Sequence, residues 1–273
     1  MLGNITIGQY YPTKSFIHSM DARSKLYCTI IFITMIFFIR SFIGYGFAII
    51  CLGAAIKTSR VPVKFMLRGL KAIMFIIIFT AVLNIFFTAG PTELASLGPI
   101  TITLEGALNA GRMVLRFAML IVGSSILTLT TTPIQLTSAI EFSLKPLKKV
   151  GVPAHEIAMM MTIALRFIPT LIEEMDKIMK AQMARGADFD TGGILKKARS
   201  MVPLLVPLFI SSFRRADELA LAMEARCYRG DVNRTRMKEM RMTRFDAIAF
   251  CAVGLFISGI VGIEIITRAF GIL

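Results

Sequence analysis

Residues 72–92 and 117–140 each run for more than twenty positions without a charged side chain. A helix needs roughly 20 apolar residues to cross the hydrocarbon core of a bilayer, and within that core backbone polar groups must be satisfied inside the chain. Residues 247–263 add a third such run, extended by Phe245 and Ile265. Two shorter runs, 26–39 and 41–56, flank Arg40 and the sequence Ser41-Phe42-Ile43-Gly44-Tyr45-Gly46, which reads as a turn. They are expected to form a tight hairpin of two spans. A mean hydropathy of +0.71 fits residence in a membrane. The expected fold is all-α: about five transmembrane helices, with two or three long helices outside the bilayer.

Charge gives the sidedness. Lys57, Arg60, Lys64, Arg68 and Lys71 make the second connection strongly basic, whereas residues 88–108 carry Glu93 and Glu105 and no Lys or Arg. Basic connections stay in the cytoplasm. Residues 133–244 contain 19 Lys+Arg against 12 Asp+Glu and no membrane-length apolar run, and are assigned to the cytoplasm too. The N-terminus, with Lys14, Arg23 and Lys25, is then inside and the C-terminus outside. The expected division is a four-span membrane region over 1–133, a cytoplasmic region over 134–244 and a last span within 245–273. A basic surface beside a bilayer also meets anionic lipid. Without aromatics interleaved in the basic stretches, nucleic-acid binding is not expected.

Within the spans, Arg112 and Arg116 stand out, since a charge at hydrocarbon depth costs about 2.5 kcal/mol or more. Two readings are open: snorkelling to the interface, or a buried pair with Glu105. In the last span Gly254, Ser258 and Gly262 recur every four residues, a spacing that lets helix backbones approach. Packing within the chain and contact with a membrane partner are both compatible with it. Cys28, Cys51, Cys227 and Cys251 form no CxxC pair, and His18 and His155 are the only histidines, so neither a disulfide framework nor a metal site is expected. No cofactor is expected.

From Pro153 to Arg185 apolar residues recur at helical spacing (Ile157, Met161, Ala164, Ile168, Ile172, Met175, Met179, Met183), with Pro169 expected to kink the helix and Gly186 to cap it. A second helical pattern runs from Ile194 to about Cys227, broken by Pro203 and Pro207. These helices carry an internal repeat. Asp176-x4-Ala181-x2-Ala184-Arg185-x4-Asp190 returns 41 residues later as Asp217-x4-Ala222-x2-Ala225-Arg226-x4-Asp231. Each copy ends a helix on small residues followed by Arg, a thin face tipped with a rigid five-donor guanidinium. Two copies imply two equivalent partner surfaces. The bland alternative is that each Arg only complements a helix C-terminal dipole. Ala184, Arg185, Gly186, Ala225, Arg226 and Cys227 are therefore the candidate docking residues, supported by Asp176, Asp190, Asp217 and Asp231.

These residues resemble the transmembrane coupling subunit of energy-coupling-factor (ECF) transporters, modular vitamin importers. The resemblance rests on Ser19-Met20-Asp21-Ala22-Arg23-Ser24-Lys25-Leu26, Thr130-Thr131-Thr132-Pro133, Ala164-Leu165-Arg166-Phe167-Ile168-Pro169, Ala181-Gln182-Met183-Ala184-Arg185-Gly186 and Ala222-Met223-Glu224-Ala225-Arg226-Cys227-Tyr228-Arg229-Gly230. It covers nearly the whole chain. The second signature has Cys227 where the first has Gly186, so its glycine cap is lost or deferred to Gly230. The resemblance implies a non-catalytic subunit in a bacterial inner membrane. Two ATPase subunits would each take one helix end and its Arg, and a separate membrane protein would bind the vitamin. The cluster Met159-Met160-Met161 suits either core filling or a surface that repacks against several partners. Competing readings are a permease subunit of an ordinary ABC importer, a membrane-embedded enzyme, and a sensor or scaffold. No GxxxxGK[ST] phosphate loop occurs, and Glu173-Glu174-Asp176, with no His or Cys beside it, reads as a solvated helix face.

Overall fold

The computed structural model describes residues 10–88, 93–97, 100–187, 189, 193–230 and 242–270. Its helices are α1 (Phe16–Ser19), α2 (Ala22–Phe38), α3 (Phe42–Ser59), α4 (Val63–Phe87), α5 (Leu104–Thr130), α6 (Pro133–Leu144), α7 (Ala154–Ala184), α8 (Ile194–Ala225) and α9 (Arg244–Ala269), with a 3₁₀ segment at Lys145–Val150. The expected all-α membrane class holds. Among the described residues the strands are a short antiparallel hairpin, β1 (Glu93–Leu97) and β2 (Ile100–Thr103), in the connection between α4 and α5. The chain divides into two compact units, 8–139 with 239–273, and 140–238 with 1–7.

The first unit is a bundle of α2, α3, α4, α5 and α9. Among the described residues α3, α4, α5, α7 and α9 are long and apolar enough to cross a bilayer. We read α2 as a span in place of α7. With 17 residues α2 reaches about 25 Å, it packs inside the bundle, and Ile36 and Ile39 are fully buried in the bundle core. By contrast α7 carries Arg166, Glu173, Glu174, Asp176, Lys177 and Lys180 along its length, which hydrocarbon does not tolerate.

Several boundaries differ from the sequence expectation. The turn between α2 and α3 is Ile39-Arg40-Ser41, and Gly44 and Gly46 lie inside α3. Gly44 is there for space: a Cβ would stand 2.9 Å from Ile39 Cγ2 and 3.2 Å from Glu264 Oε1. The third span starts earlier, at Val63, because Pro62 suits a helix start and Lys64, Arg68 and Lys71 do not oppose one. The fourth apolar run holds a helix end, since Thr131 is extended and Pro133 opens α6. In α7 and α8 the prolines 169, 203 and 207 sit within continuous helices.

Polar ties complement helix dipoles at both ends of the bundle. At the α2–α3 corner, Arg116 donates to the Ile39 carbonyl at 3.3 Å and to Tyr45 Oη at 3.1 Å, and it lies over the Phe37 ring. A cation thus closes the C-terminus of α2. Neither sequence reading of Arg116 named these partners. Glu264 of α9 accepts from the N–H groups of Arg40 and Ser41 and from Ser41 Oγ, each at 2.9 Å, placing an anion at the N-terminus of α3. At the other end Asp246 of α9, 1% exposed, accepts from Asp21 N–H at 2.9 Å and Thr243 N–H at 2.7 Å. There Lys25 Nζ also donates to the Thr130 carbonyl, the last of α5, at 3.0 Å. The blocks Ser19–Leu26 and Thr130–Pro133 therefore meet in a buried structural contact. The N-termini of α2 and α9 and the C-terminus of α5 share one end, and the basic residues between α3 and α4 follow at that same end by alternation.

The stripe Gly254, Ser258 and Gly262 does not serve packing within the chain: a Cβ on Gly254 or Gly262 would meet nothing within 4 Å. The close approach is one residue over, at Gly259, where a Cβ would lie 2.7 Å from the Phe47 ring.

Candidate docking site

The second unit is built on α7 and α8, and its two helix ends repeat each other in backbone detail. At the end of α7 the Ala187 N–H donates to the Gln182 carbonyl and the Gly186 N–H to the Met183 carbonyl, both at 3.0 Å. At the end of α8 the Tyr228 N–H donates to the Met223 carbonyl at 3.0 Å and the Cys227 N–H to the Glu224 carbonyl at 2.8 Å. Every partner is displaced by the 41-residue repeat. This six-to-one, five-to-two pattern is the Schellman cap, which needs a left-handed residue after the helix. Gly186 supplies it at φ 89° and Cys227 at φ 55°. The second cap is thus neither lost nor deferred to Gly230. Cys227 bears it in register, in a conformation that a residue with a Cβ adopts at a cost.

Exposure repeats as well. Ala184, Arg185 and Gly186 are exposed, as are Ala225, Arg226 and Cys227, while Ala187 and Tyr228 behind them are half-buried. Asp176 is half-buried and Asp217 exposed. Asp190 and Asp231 lie outside the described residues. Each arginine therefore projects from a thin alanine-flanked tip.

The helices also touch at repeat-related positions. Arg215 Nη2 donates to Glu174 Oε2 at 2.7 Å, and Ser211 Oγ donates to Glu174 Oε1. Glu174 and Arg215 are 41 residues apart, so each stands eleven residues before its arginine. Beyond this contact each helix continues about 16 Å to its terminal arginine. The hydrogen bond from Ser211, and then the Arg215 charge, hold the Glu174 carboxyl below its ordinary range. The sequence reading placed the Glu173-Glu174-Asp176 cluster on a solvated face and missed the pairing, although the repeat spacing was its signal.

Two further features were not read from the sequence. His155 bridges Glu141 Oε1, at 3.2 Å from Nδ1, and the Tyr228 hydroxyl, at 3.3 Å from Nε2. The residue after Cys227 is thereby fastened to the start of α7. The apolar stripes are also open: Met160, Met161 and Ile168 on α7 are exposed, and Leu205, Phe209 and Phe213 on α8 are more than half exposed. Met160 and Met161 are surface residues rather than core filler.

The CbiQ family, described as cobalt transport protein, matches residues 13–238. The energy-coupling factor transporter transmembrane protein EcfT of Thermosediminibacter oceani is 58% identical over 255 residues, covering 93% of this chain and 96% of its own. Its namesake in Ruminiclostridium cellulolyticum is 52% identical over 264 residues, covering 97% and 98%. That of Clostridium kluyveri is 54% identical over 257 residues, covering 93% and 95%. With near-complete coverage in both directions, this chain belongs to the CbiQ family of cobalt transport proteins, together with the EcfT transmembrane proteins of energy-coupling factor transporters.

Proposed function

We propose that this chain is the transmembrane energy-coupling subunit of a modular ATP-driven importer, docking two ATPase subunits through Arg185 and Arg226. The observation that carries the proposal is the repetition of cap, exposure and alanine flank at two helix ends 41 residues apart. One arginine at one helix end would be explained by its dipole alone. Two that agree in backbone hydrogen bonding and exposure fit a pair of like partners. The relatives' name, a transmembrane protein of an energy-coupling factor transporter, supports the same reading. ATP hydrolysis then belongs to the partners, and this chain is not an enzyme. The open apolar faces of α7 and α8 suit a membrane partner that binds the transported vitamin or micronutrient, and that partner sets the substrate. The docking unit and the N-terminus lie in the cytoplasm of a bacterial inner membrane, and the C-terminus lies outside.

Co-purification tests this. The full chain should bring down two ATPase chains. Arg185→Ala or Arg226→Ala should each weaken assembly by about tenfold or more, since a charge-assisted contact contributes about 1.5–3 kcal/mol. Arg185→Ala with Arg226→Ala should abolish ATP-driven uptake and leave the melting of the isolated chain unchanged. Normal assembly by the double variant, or a reporter fused after Gly193 found outside the cell, would refute the reading.

A further inference from the structure

The membrane bundle contains a cavity of about 580 Å³ between α2, α3, α5 and α9. Apolar side chains line most of it, among them Phe32, Leu52, Ala55, Ile126 and Phe256. One wall residue is different. Lys25 is 4% exposed, and its ammonium has two carbonyl partners, Thr130 at 3.0 Å and His18 at 3.3 Å. It makes no ion pair among the described residues. Asp246 and Asp21 also act on that ammonium electrostatically, from beyond ion-pair distance, so part of its charge is answered within the chain.

An open basin of about 930 Å³ adjoins this cavity, and Phe16 and Thr58 line both. The basin presents Lys14, Lys57 and Arg60 with the hydroxyls of Ser15 and Ser19, and no acidic side chain lines it. All three cations are exposed, and none makes an ion pair among the described residues. His18 adds no certain charge there: its Nε2 faces the Tyr11 carbonyl at 3.0 Å and its Nδ1 faces Ser15 Oγ at 2.7 Å, the partners of a neutral ring. An apolar chamber thus adjoins a cationic one, at the bundle end where the basic connections gather.

We propose that cavity and basin together bind one anionic glycerophospholipid, with an acyl chain in the cavity and the phosphate in the basin. Size selects among apolar occupants. A transmembrane helix is about 10–12 Å across and must traverse about 30 Å of hydrocarbon, several times the volume of this cavity, whereas a single chain of methylenes fits. Charge selects the headgroup: Lys14, Lys57 and Arg60, exposed and without an ion pair among the described residues, favour a net negative lipid over a zwitterionic one. The proposal is independent of the docking role of Arg185 and Arg226.

The chain contains no tryptophan, so Phe16→Trp places a single fluorophore where the two chambers meet. The full-length chain carrying it is reconstituted in phosphatidylcholine vesicles holding a minor fraction of brominated phosphatidylglycerol. Quenching should exceed the value set by mole fraction. Adding Lys57→Ala and Arg60→Ala should remove the preference, by roughly fivefold for each charge. Ala55→Leu, which narrows the cavity with the charges intact, should lower it as well, and glycerol 3-phosphate at millimolar concentration should not compete. Quenching that tracks mole fraction in the reporter chain would overturn the proposal. So would a preference that survives loss of both basin charges, or one untouched by a well-inserted Ala55→Leu chain. Displacement by glycerol 3-phosphate would show a site for soluble phosphates and overturn the lipid assignment.

Discussion

In the bundle, three charged groups at helix ends are answered from within the chain: Arg116 by the Ile39 carbonyl and Tyr45, Glu264 by the N-terminus of α3, Asp246 by the N-terminus of α2. In the α7–α8 unit Phe209, Phe213, Met160 and both terminal arginines are exposed. Lipid explains the first strategy. Without a hydrophobic drive between spans, packing and hydrogen bonds must fix helix order. The second unit leaves apolar faces exposed, which in water carry a penalty unless something covers them. The first unit fastens its helix ends with its own side chains, and the second leaves its apolar faces open.

Removing a bundle tie should therefore cost most. Asp246→Ala leaves the N–H groups of Asp21 and Thr243 without their acceptor, and should destabilise the purified chain by about 3 kcal/mol or more. Denaturant unfolding in micelles measures this, and a loss below about 1 kcal/mol would break the comparison. The docking ends should respond less and with opposite signs. Gly186→Ala puts a Cβ at φ 89° and should cost about 1 kcal/mol, whereas Cys227→Gly relieves φ 55° and should gain up to about 1 kcal/mol. Hydrogen exchange at Ala187 and Tyr228 separates the two. Smallest of all is Glu174→Gln, worth under about 1 kcal/mol because the ion pair is partly exposed. The Glu174 carboxyl titrates below its ordinary value, so its contribution is complete above about pH 4.3 and fades as pH falls through the lowered value. Glu174→Gln should erase that acid-side loss in a pH series of α7–α8 exchange protection.

Much of this was legible in the residues. Charge-free runs marked the apolar helices of the bundle, because hydrocarbon tolerates little else. The 41-residue repeat marked, before any coordinate, two helix ends that share one cap geometry. Contacts across long sequence separation were not legible: Asp21 and Asp246 are 225 residues apart, and Arg40 and Glu264 are 224 apart. Gly44 read as a turn because glycine signals loose backbone and close packing alike. The left-handed Cys227 was hidden, since its residue type argues against that conformation and only the repeat argues for it.

The two carboxylates that close α2 and α3 both come from α9, which is synthesised after the other helices of the bundle. A ribosome that has completed the first four spans has placed α2 and α3 in the membrane with their leading ends still open, and a chain released early keeps them so. Completion of α9 supplies both acids at once, at opposite ends of the bundle. The order of translation is thereby written into the order of stabilisation, and a truncated product is marked by the instability of the segments made first.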